Sequence, residues 1–244
     1  MPKARYQDIY NTIKDRIEEQ AYPFGTLLPS ENALKAEFDC SRNTVRRAVA
    51  GLIDIGYVQA MQGKGVRCIY ESKRTVSFLS NEIETFREAS IRNHLTYETK
   101  VVYFEECTVD KDFAEKSGFP EGENVYYVQR VHVIDGNPLI FNHNYFLKRV
   151  AEGLTEAIAG VSIYDYLENT LGVKIINSKR IITVEKITAL DKKYLNLSAR
   201  DYNCLAVITS TTYDGDGTLF EYTQSRHLPS YFSFSTNAVR KKGV

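Results

Sequence analysis

Apolar residues fall at helical spacing through most of the first 55 positions and at strand spacing through most of the remainder. Tyr6, Ile9, Tyr10, Ile13 and Ile17 form one stripe, which predicts an amphipathic helix ending near Gln20. Pro23-Phe24-Gly25 turns the chain. Pro29 and Ser30 then open a second helix, the serine accepting from first-turn amides and the proline fixing the approach. It carries Ala33, Leu34 and Phe38 inward and Glu31, Lys35 and Glu37 outward. Asp39-Cys40-Ser41 turns into a third helix, roughly Arg42 to Ile55, capped by Ser41. Its Val45, Ala48, Val49, Leu52 and Ile53 share one face. Gly56 stops it. Tyr57–Ala60 and Val66–Ile69 read as two short strands around Gln62-Gly63-Lys64-Gly65.

Polar, aperiodic Glu71-Ser72-Lys73-Arg74-Thr75 marks a linker, placed at 71–77 between domains at 1–70 and 78–244. From Val76 onward strands dominate. Tyr97–Glu105, Asn124–Ile134 and Leu139–Phe146 are rich in Val, Ile, Tyr and Phe, and Asp135-Gly136-Asn137 is a hairpin signal between the last two. Ser162–Leu171 reads as a helix capped by Ser162 and stopped by Gly172. Val173–Ile187 is a long β run, Asp191–Leu197 a short helix. Cys204–Tyr213 and Leu219–Leu228 pair across Asp214-Gly215-Asp216-Gly217, and Phe232–Thr236 is a candidate edge strand. The fold class expected is α+β: three helices and a wing in front, the last two helices and the wing forming a winged helix-turn-helix, and a helix-poor mixed or antiparallel sheet behind.

Composition narrows this. The 244 residues are 43% hydrophobic and 25% charged, as in a globular and not a disordered chain. No apolar run approaches the ~20 residues of a membrane span. The N-terminus runs straight into a helix, so no signal peptide is expected, and the expected location is cytoplasmic. Cys40, Cys68, Cys107 and Cys204 are scattered, which argues against a zinc site or redox pair. His94, His132, His143 and His227 have no helical metal spacing, so no cofactor or metal is expected. Net charge is zero, with 10 Lys+Arg against 8 Asp+Glu in residues 1–70. A nucleic-acid binder needs a local basic face rather than a basic total. So small an excess calls for a dimer on two half-sites.

The third helix supplies such a face. Asn43, Arg46, Arg47 and Ala50 lie opposite its apolar stripe, and Ser41 to Ala50 holds three arginines and no acid. An isolated charged helix face is usually only wet. A glycine tip that brings backbone and one lysine close to a phosphate favours DNA reading over that bland alternative. Arg5 is either a phosphate contact or a free surface arginine. In the second part, alternation puts Arg130 and His132 on one strand face and Glu221, Thr223, Ser225 and His227 on another. Such faces either meet solvent or line a polar cavity. Ser162 at a helix N-terminus adds free amides, and Arg130 with Ser162 then reads as a phosphate clamp.

Leu28-Pro29-Ser30-Glu31, Ser41-Arg42-Asn43-Thr44-Val45-Arg46, Leu52, Gly56 and Gln62-Gly63-Lys64-Gly65 resemble the winged helix-turn-helix of GntR-family bacterial regulators. That resemblance implies operator contacts from Ser30, Glu31, Arg42, Thr44, Arg46, Gln62, Lys64 and Gly65. Asn32 departs from relatives that carry an arginine there. Val128-Gln129-Arg130-Val131-His132, Asp135-Gly136-Asn137-Pro138-Leu139, Ser162-Ile163-Tyr164-Asp165-Tyr166-Leu167 and Glu221-Tyr222-Thr223-Gln224-Ser225-Arg226-His227 resemble the effector domain of the HutC branch, called UTRA, with a chorismate-lyase-like fold. Implied effector contacts are Ser90, Arg130, His132, Ser162, Tyr164, Glu221 and His227. His132 stands where many relatives have a second arginine, so a phosphate affinity that is weaker, or pH-dependent near neutrality, is expected. Within the branch the likeness is to trehalose operon repressors, which implies a homodimer on a palindromic operator, released by trehalose 6-phosphate. Another phosphosugar or small anion as effector, or an enzyme acting on a small anion, are the rival readings. The spacing of nucleophile, base and orienter that an enzyme needs is not found.

Overall fold

The computed structural model describes residues 3–71, 83–92, 95–197 and 202–234, with the side chains of residues 3–5 left out. The chain forms two compact units that divide near residue 74. The linker expected at 71–77, apart from Glu71, and the far part of the strand expected over 232–236 lie outside the described residues, as do the Arg5 side chain and His94.

The first unit is built on three helices, α1 (Lys3–Glu18), α2 (Glu31–Glu37) and α3 (Arg42–Asp54), and a two-stranded wing, β1 (Val58–Met61) and β2 (Gly65–Cys68). Ile9, Ile13 and Ile17 from α1 meet Val45, Ala48 and Leu52 from α3 in a core where each is at most 1% exposed. Each fully buried aliphatic side chain of this size contributes about 1.5–3 kcal/mol. Ser30 caps α2 by accepting from the Ala33 amide at 3.2 Å, and Ser41 caps α3 by accepting from Thr44 at 3.2 Å. Only Leu34 of α2 is buried; Ala33, expected inward, is exposed, because a seven-residue helix held at both ends needs a single anchor. Arg16 on α1 ties α2 down instead, pairing with Glu37 and lying 5.7 Å over the Phe38 ring.

The second unit is a six-stranded antiparallel sheet in the order β3-β4-β5-β8-β7-β6. Its strands are β3 (Tyr97–Thr108), β4 (Asn124–Ile134), β5 (Asn137–Leu147), β6 (Ile175–Lys186), β7 (Cys204–Asp214) and β8 (Leu219–His227). Asp135 and Gly136, both at positive φ (48° and 78°), make the tight β4–β5 hairpin that the Asp-Gly pair predicts. Asp214 closes the β7–β8 turn by accepting from the Asp216 and Thr218 amides at 3.0 and 2.8 Å.

Five short helices flank the sheet: α4 (Phe86–Arg92), α5 (Lys111–Ser117), α6 (Glu156–Val161), α7 (Ile163–Asp165) and α8 (Ala189–Tyr194). On one face α5 seats Phe113 against Tyr145 and Tyr222, and α8 seats Tyr194 against Phe141. Arg226, 5% exposed, locks that side by donating to Asp191 at 2.8 Å, Glu185 at 2.7 Å and the Lys186 carbonyl at 3.0 Å. The other face carries the polar side chains of interest. There the helix expected over 162–171 is shorter, α7 passing at Tyr166–Thr170 into a π-helical turn.

Candidate functional site

In the first unit the exposed side of α3 and the wing tip form one candidate surface. Arg46 Nε donates to both carboxylate oxygens of Glu31 at 3.0 and 3.1 Å, which raises the Arg46 pKa and lowers that of Glu31. Held by this edge, the guanidinium keeps its two terminal nitrogens for an incoming partner. Arg42 donates to Asn32 Oδ1 at 3.0 Å, so the residue that departs from the family pattern orients a neighbouring arginine. Arg47 lies 3.9 Å over the Tyr6 ring. Ser30, Glu31, Arg42, Arg46, Gln62, Lys64 and Gly65 are exposed, and Thr44 is half-buried with its hydroxyl 2.8 Å from Ser41 Oγ. Gly63 and Gly65 take φ of 72° and 100°, conformations open to glycine, and so form the wing tip that presents Lys64.

In the second unit the register assembles a polar floor. Arg130 and His132 of β4, Asn142 and Asn144 of β5, Glu221, Thr223, Ser225 and His227 of β8, and Ser178 and Arg180 of β6 all point to the same face. Ser162 and Tyr164 close over it from α7, and Thr85, Phe86 and Arg87 from the start of α4. The hollow encloses about 1000 Å³ of empty space, its mouth included.

Hydrogen bonds order this floor in one direction. Arg130 Nε donates to Asn144 Oδ1 at 2.9 Å, Asn144 Nδ2 to Thr223 Oγ1 at 2.8 Å, and Thr223 Oγ1 to Glu221 Oε1 at 2.9 Å. Tyr164 Oη donates to the other Glu221 oxygen at 2.5 Å. Burial, with Glu221 beside it, pushes the Tyr164 phenol well above its usual range, so it stays a donor. A second network runs Ser225 Oγ to Asn142 Oδ1 at 2.6 Å, with His132 Nε2 2.9 Å from Asn142 Nδ2 and Nδ1 3.0 Å from Thr99 Oγ1. His227 Nε2 lies 2.9 Å from Ser225 Oγ. The partners assign a neutral His132 protonated on Nδ1.

Arg130 is the unbalanced group. It is half-buried and lines the hollow. Burial lowers its pKa to about 10 against the opposing pull of Glu221 and Tyr164. It remains a cation at neutral pH. Besides Asn144 its guanidinium donates to the Ala159 carbonyl at 3.5 Å. That uses two of a guanidinium's five donors, and the rest have no partner among the described residues. A desolvated cation with spare donors on a cavity wall is built for an anion.

Six of the seven expected effector contacts, Arg130, His132, Ser162, Tyr164, Glu221 and His227, therefore share one cavity. Ser90 does not join them. It lies one helical turn past Phe86 on the stripe of α4 that faces the interior, is fully buried, and its hydroxyl has no partner among the described residues. The α4 segment reaches the cavity through Thr85, Phe86 and Arg87. A second correction concerns His132. Burial first, then Arg130 and His227, hold its pKa well below 6.5, and Phe86 stacks on its ring at 4.0 Å. It stays neutral through the physiological range, so it cannot supply the pH dependence expected of it. Asn142, Asn144 and Arg180 were not singled out in the sequence. The alternation of Asn142 and Asn144 inside an apolar strand, and of Ser178 and Arg180 along β6, is the signal that marks them.

A winged helix-turn-helix joined to an antiparallel α+β unit is the architecture of a DNA-binding transcriptional regulator. Residues 5–68 match the family described as bacterial regulatory proteins, gntR family, and residues 92–233 match the UTRA domain; the chain belongs to the GntR family of transcriptional regulators, in its UTRA-bearing branch. It is similar to the HTH-type transcriptional regulator TreR of Bacillus subtilis, at 30% identity over 99% of this chain and 100% of TreR. It is also similar to GmuR of the same organism, at 26% identity over 97% of this chain and 99% of GmuR. Among solved structures, the possible regulator YydK of B. subtilis superposes with a TM-score of 0.77, at 26% identity over 96% of this chain and 99% of YydK. The effector binding domain of the B. subtilis trehalose repressor gives 0.52, at 30% identity over 59% of this chain and 99% of that domain. Among the described residues no helix is long and apolar enough to cross a membrane, and no cluster of His, Cys, Asp or Glu is placed to hold a metal ion.

Proposed function

We propose that the protein is a homodimeric repressor that leaves a palindromic operator when a phosphorylated sugar enters the cavity, with trehalose 6-phosphate the first candidate. The observation that carries the reading is Arg130: charged, with spare donors beside a hollow lined by hydroxyls, amides, the carboxylates of Glu84 and Glu221 and apolar side chains such as Phe86, Ile140 and Val161. The phosphate takes Arg130 and the Ser162 side of the cavity. Glu221, Asn142, Ser225 and His227 match ring hydroxyls. The likeness to a trehalose repressor supports the choice of sugar. Ser30, Glu31, Arg42, Thr44, Arg46, Gln62, Lys64 and Gly65 are the operator contacts proposed.

Two recognition helices read half-sites about one turn of DNA apart only when a second copy sets their spacing. The edge strand β6 offers a surface for that copy: Ile176, Ile181 and Val184 are 63%, 50% and 74% exposed along it. A ligand that favours another spacing shifts the population away from the DNA-competent dimer. Titrating trehalose 6-phosphate into a fluorescent operator complex tests the reading. Anisotropy falls on addition if it holds. An operator affinity unchanged by this and other sugar phosphates overturns it.

A further inference from the structure

The first turn of α2 reaches across to α3 twice. Glu31 grips Arg46 through both carboxylate oxygens, and the next residue, Asn32, accepts on Oδ1 from Arg42 Nη2 at 3.0 Å. The hydrogen bond from Arg46 is the main cause that lowers the Glu31 pKa, and the charge of Arg42 adds to it, so the four side chains form one cluster. All four are exposed, and none of them builds the core of the unit.

Arg42 and Arg46 stand four residues apart on α3, about 6 Å along its axis, and share a face. Each guanidinium is thus held by a neighbouring helix before any DNA arrives. An arginine that reads guanine must offer two donors in the plane of the base edge, to O6 and N7. A free arginine side chain loses rotamer freedom on taking that pose. Arg42, anchored at Nη2, has lost part of that freedom already and keeps four of its five donors. Asn32 itself is poorly placed to read. The paired contact of asparagine with adenine needs Oδ1 and Nδ2 together, and here Oδ1 is turned to Arg42. An arginine at position 32 could not accept from Arg42 and would set a third cation against the single carboxylate of Glu31.

We propose that Asn32 is a positioning residue for operator specificity: by holding the Arg42 guanidinium it sharpens the choice of guanine at the base pair Arg42 meets. This rests on the reading that Arg42 contacts the operator, and the test separates the two. Full-length wild type and the Asn32→Ala, Asn32→Asp and Arg42→Ala variants each select from a pool of duplexes with a randomised core. Anisotropy then gives the relative affinity for each base at each selected position. Wild type prefers guanine by about tenfold or more at one position of each half-site, and Arg42→Ala abolishes that preference. Asn32→Ala narrows it to about threefold or less, keeps the other positions within about twofold, and melts as wild type does. Asn32→Asp keeps the acceptor and so keeps the preference, while its added negative charge weakens every duplex alike. A base profile unaltered in Asn32→Ala, or a preference that Asn32→Asp loses as well, overturns the positioning role. So does an Asn32→Ala variant that weakens all duplexes equally, since that marks a contact to the DNA backbone. Selection of the wild-type motif by Arg42→Ala, or of no motif by wild type, overturns the inference together with the reading it rests on.

Discussion

Arg130→Gln separates what the desolvated guanidinium does for the ligand from what it does to the fold. Its pKa, lowered to about 10, lies below that of the unfolded chain. Each tenfold change in proton affinity corresponds to about 1.4 kcal/mol. The charge therefore destabilises the ligand-free protein by roughly 3 kcal/mol at neutral pH, and this is relieved only as pH rises through 10 and above. Glutamine removes the charge and keeps one amide donor for Asn144. It forgoes the long bond to the Ala159 carbonyl, worth about 0.5–1 kcal/mol. The net expectation is a ligand-free variant more stable by about 2 kcal/mol, or roughly 4–8 °C in Tm for a domain of this size. Ligand binding moves the other way. Losing two charge-assisted hydrogen bonds at about 1.5–3 kcal/mol each weakens phosphosugar binding by roughly 10²–10⁴-fold. Scanning calorimetry with and without trehalose 6-phosphate checks both halves. A variant whose ligand-free Tm falls, or whose ligand-induced rise in Tm survives, refutes the reasoning.

At the operator surface, Arg46→Ala is expected to weaken specific binding by about 1–3 kcal/mol and to relax sequence preference, measured by anisotropy against operator and scrambled DNA. Lys64→Ala weakens both DNAs alike and lowers the salt slope by about one; an unchanged slope would mean that the wing tip does not meet a phosphate. His132, His227 and His143 are all held below 6.5 by burial first, His227 to about 3 and His143 to about 4. The unfolded chain takes up protons that the native state refuses, so stability is complete above pH 6.5 and is lost as pH falls below it. His227 and His143 together account for roughly 2 kcal/mol between pH 6.5 and 5.5. Tm against pH checks this, and His227→Gln should shallow the fall. Val184→Lys, placed on the exposed edge of β6, is expected to give monomers in sedimentation and to leave each unit folded by circular dichroism.

Strands β4, β7 and β8 were legible almost to the residue, because each is rich in β-branched and aromatic residues and abuts an Asp-Gly turn. The first unit was equally plain, since stripes, serine caps and glycines all agree. The helices α4, α5 and α6 were not read. With six or seven residues they have too little periodicity to register. Asp110 and Thr155 cap two of them, and packing against the sheet holds all three. The burial of Ser90 was equally hidden: its position depends on which side of α4 faces inward, and a seven-residue helix does not announce that. The strand face carrying Glu221 to His227 was visible, but the cavity needed all six strands to bring their side chains onto one face. Arg180 became a wall residue only through β6 pairing with β7. The neutral state of His132 follows from burial between Phe86, Thr99 and Asn142, which no local pattern encodes.

The bonds from Arg130 through Asn144 and Thr223 to Glu221 all point one way, so the cavity floor behaves as a wire as well as a surface. A negative guest at Arg130 draws on the guanidinium that Asn144 leans on. Each later link then loosens in turn, down to the carboxylate that Tyr164 grips. If the proposed anion binds at Arg130, its presence is expected to reach Tyr164 on α7 along this chain as well as through Ser162. Tyr164→Phe cuts the wire at its far end, and a guest that still reshapes the roof in that variant is using another route.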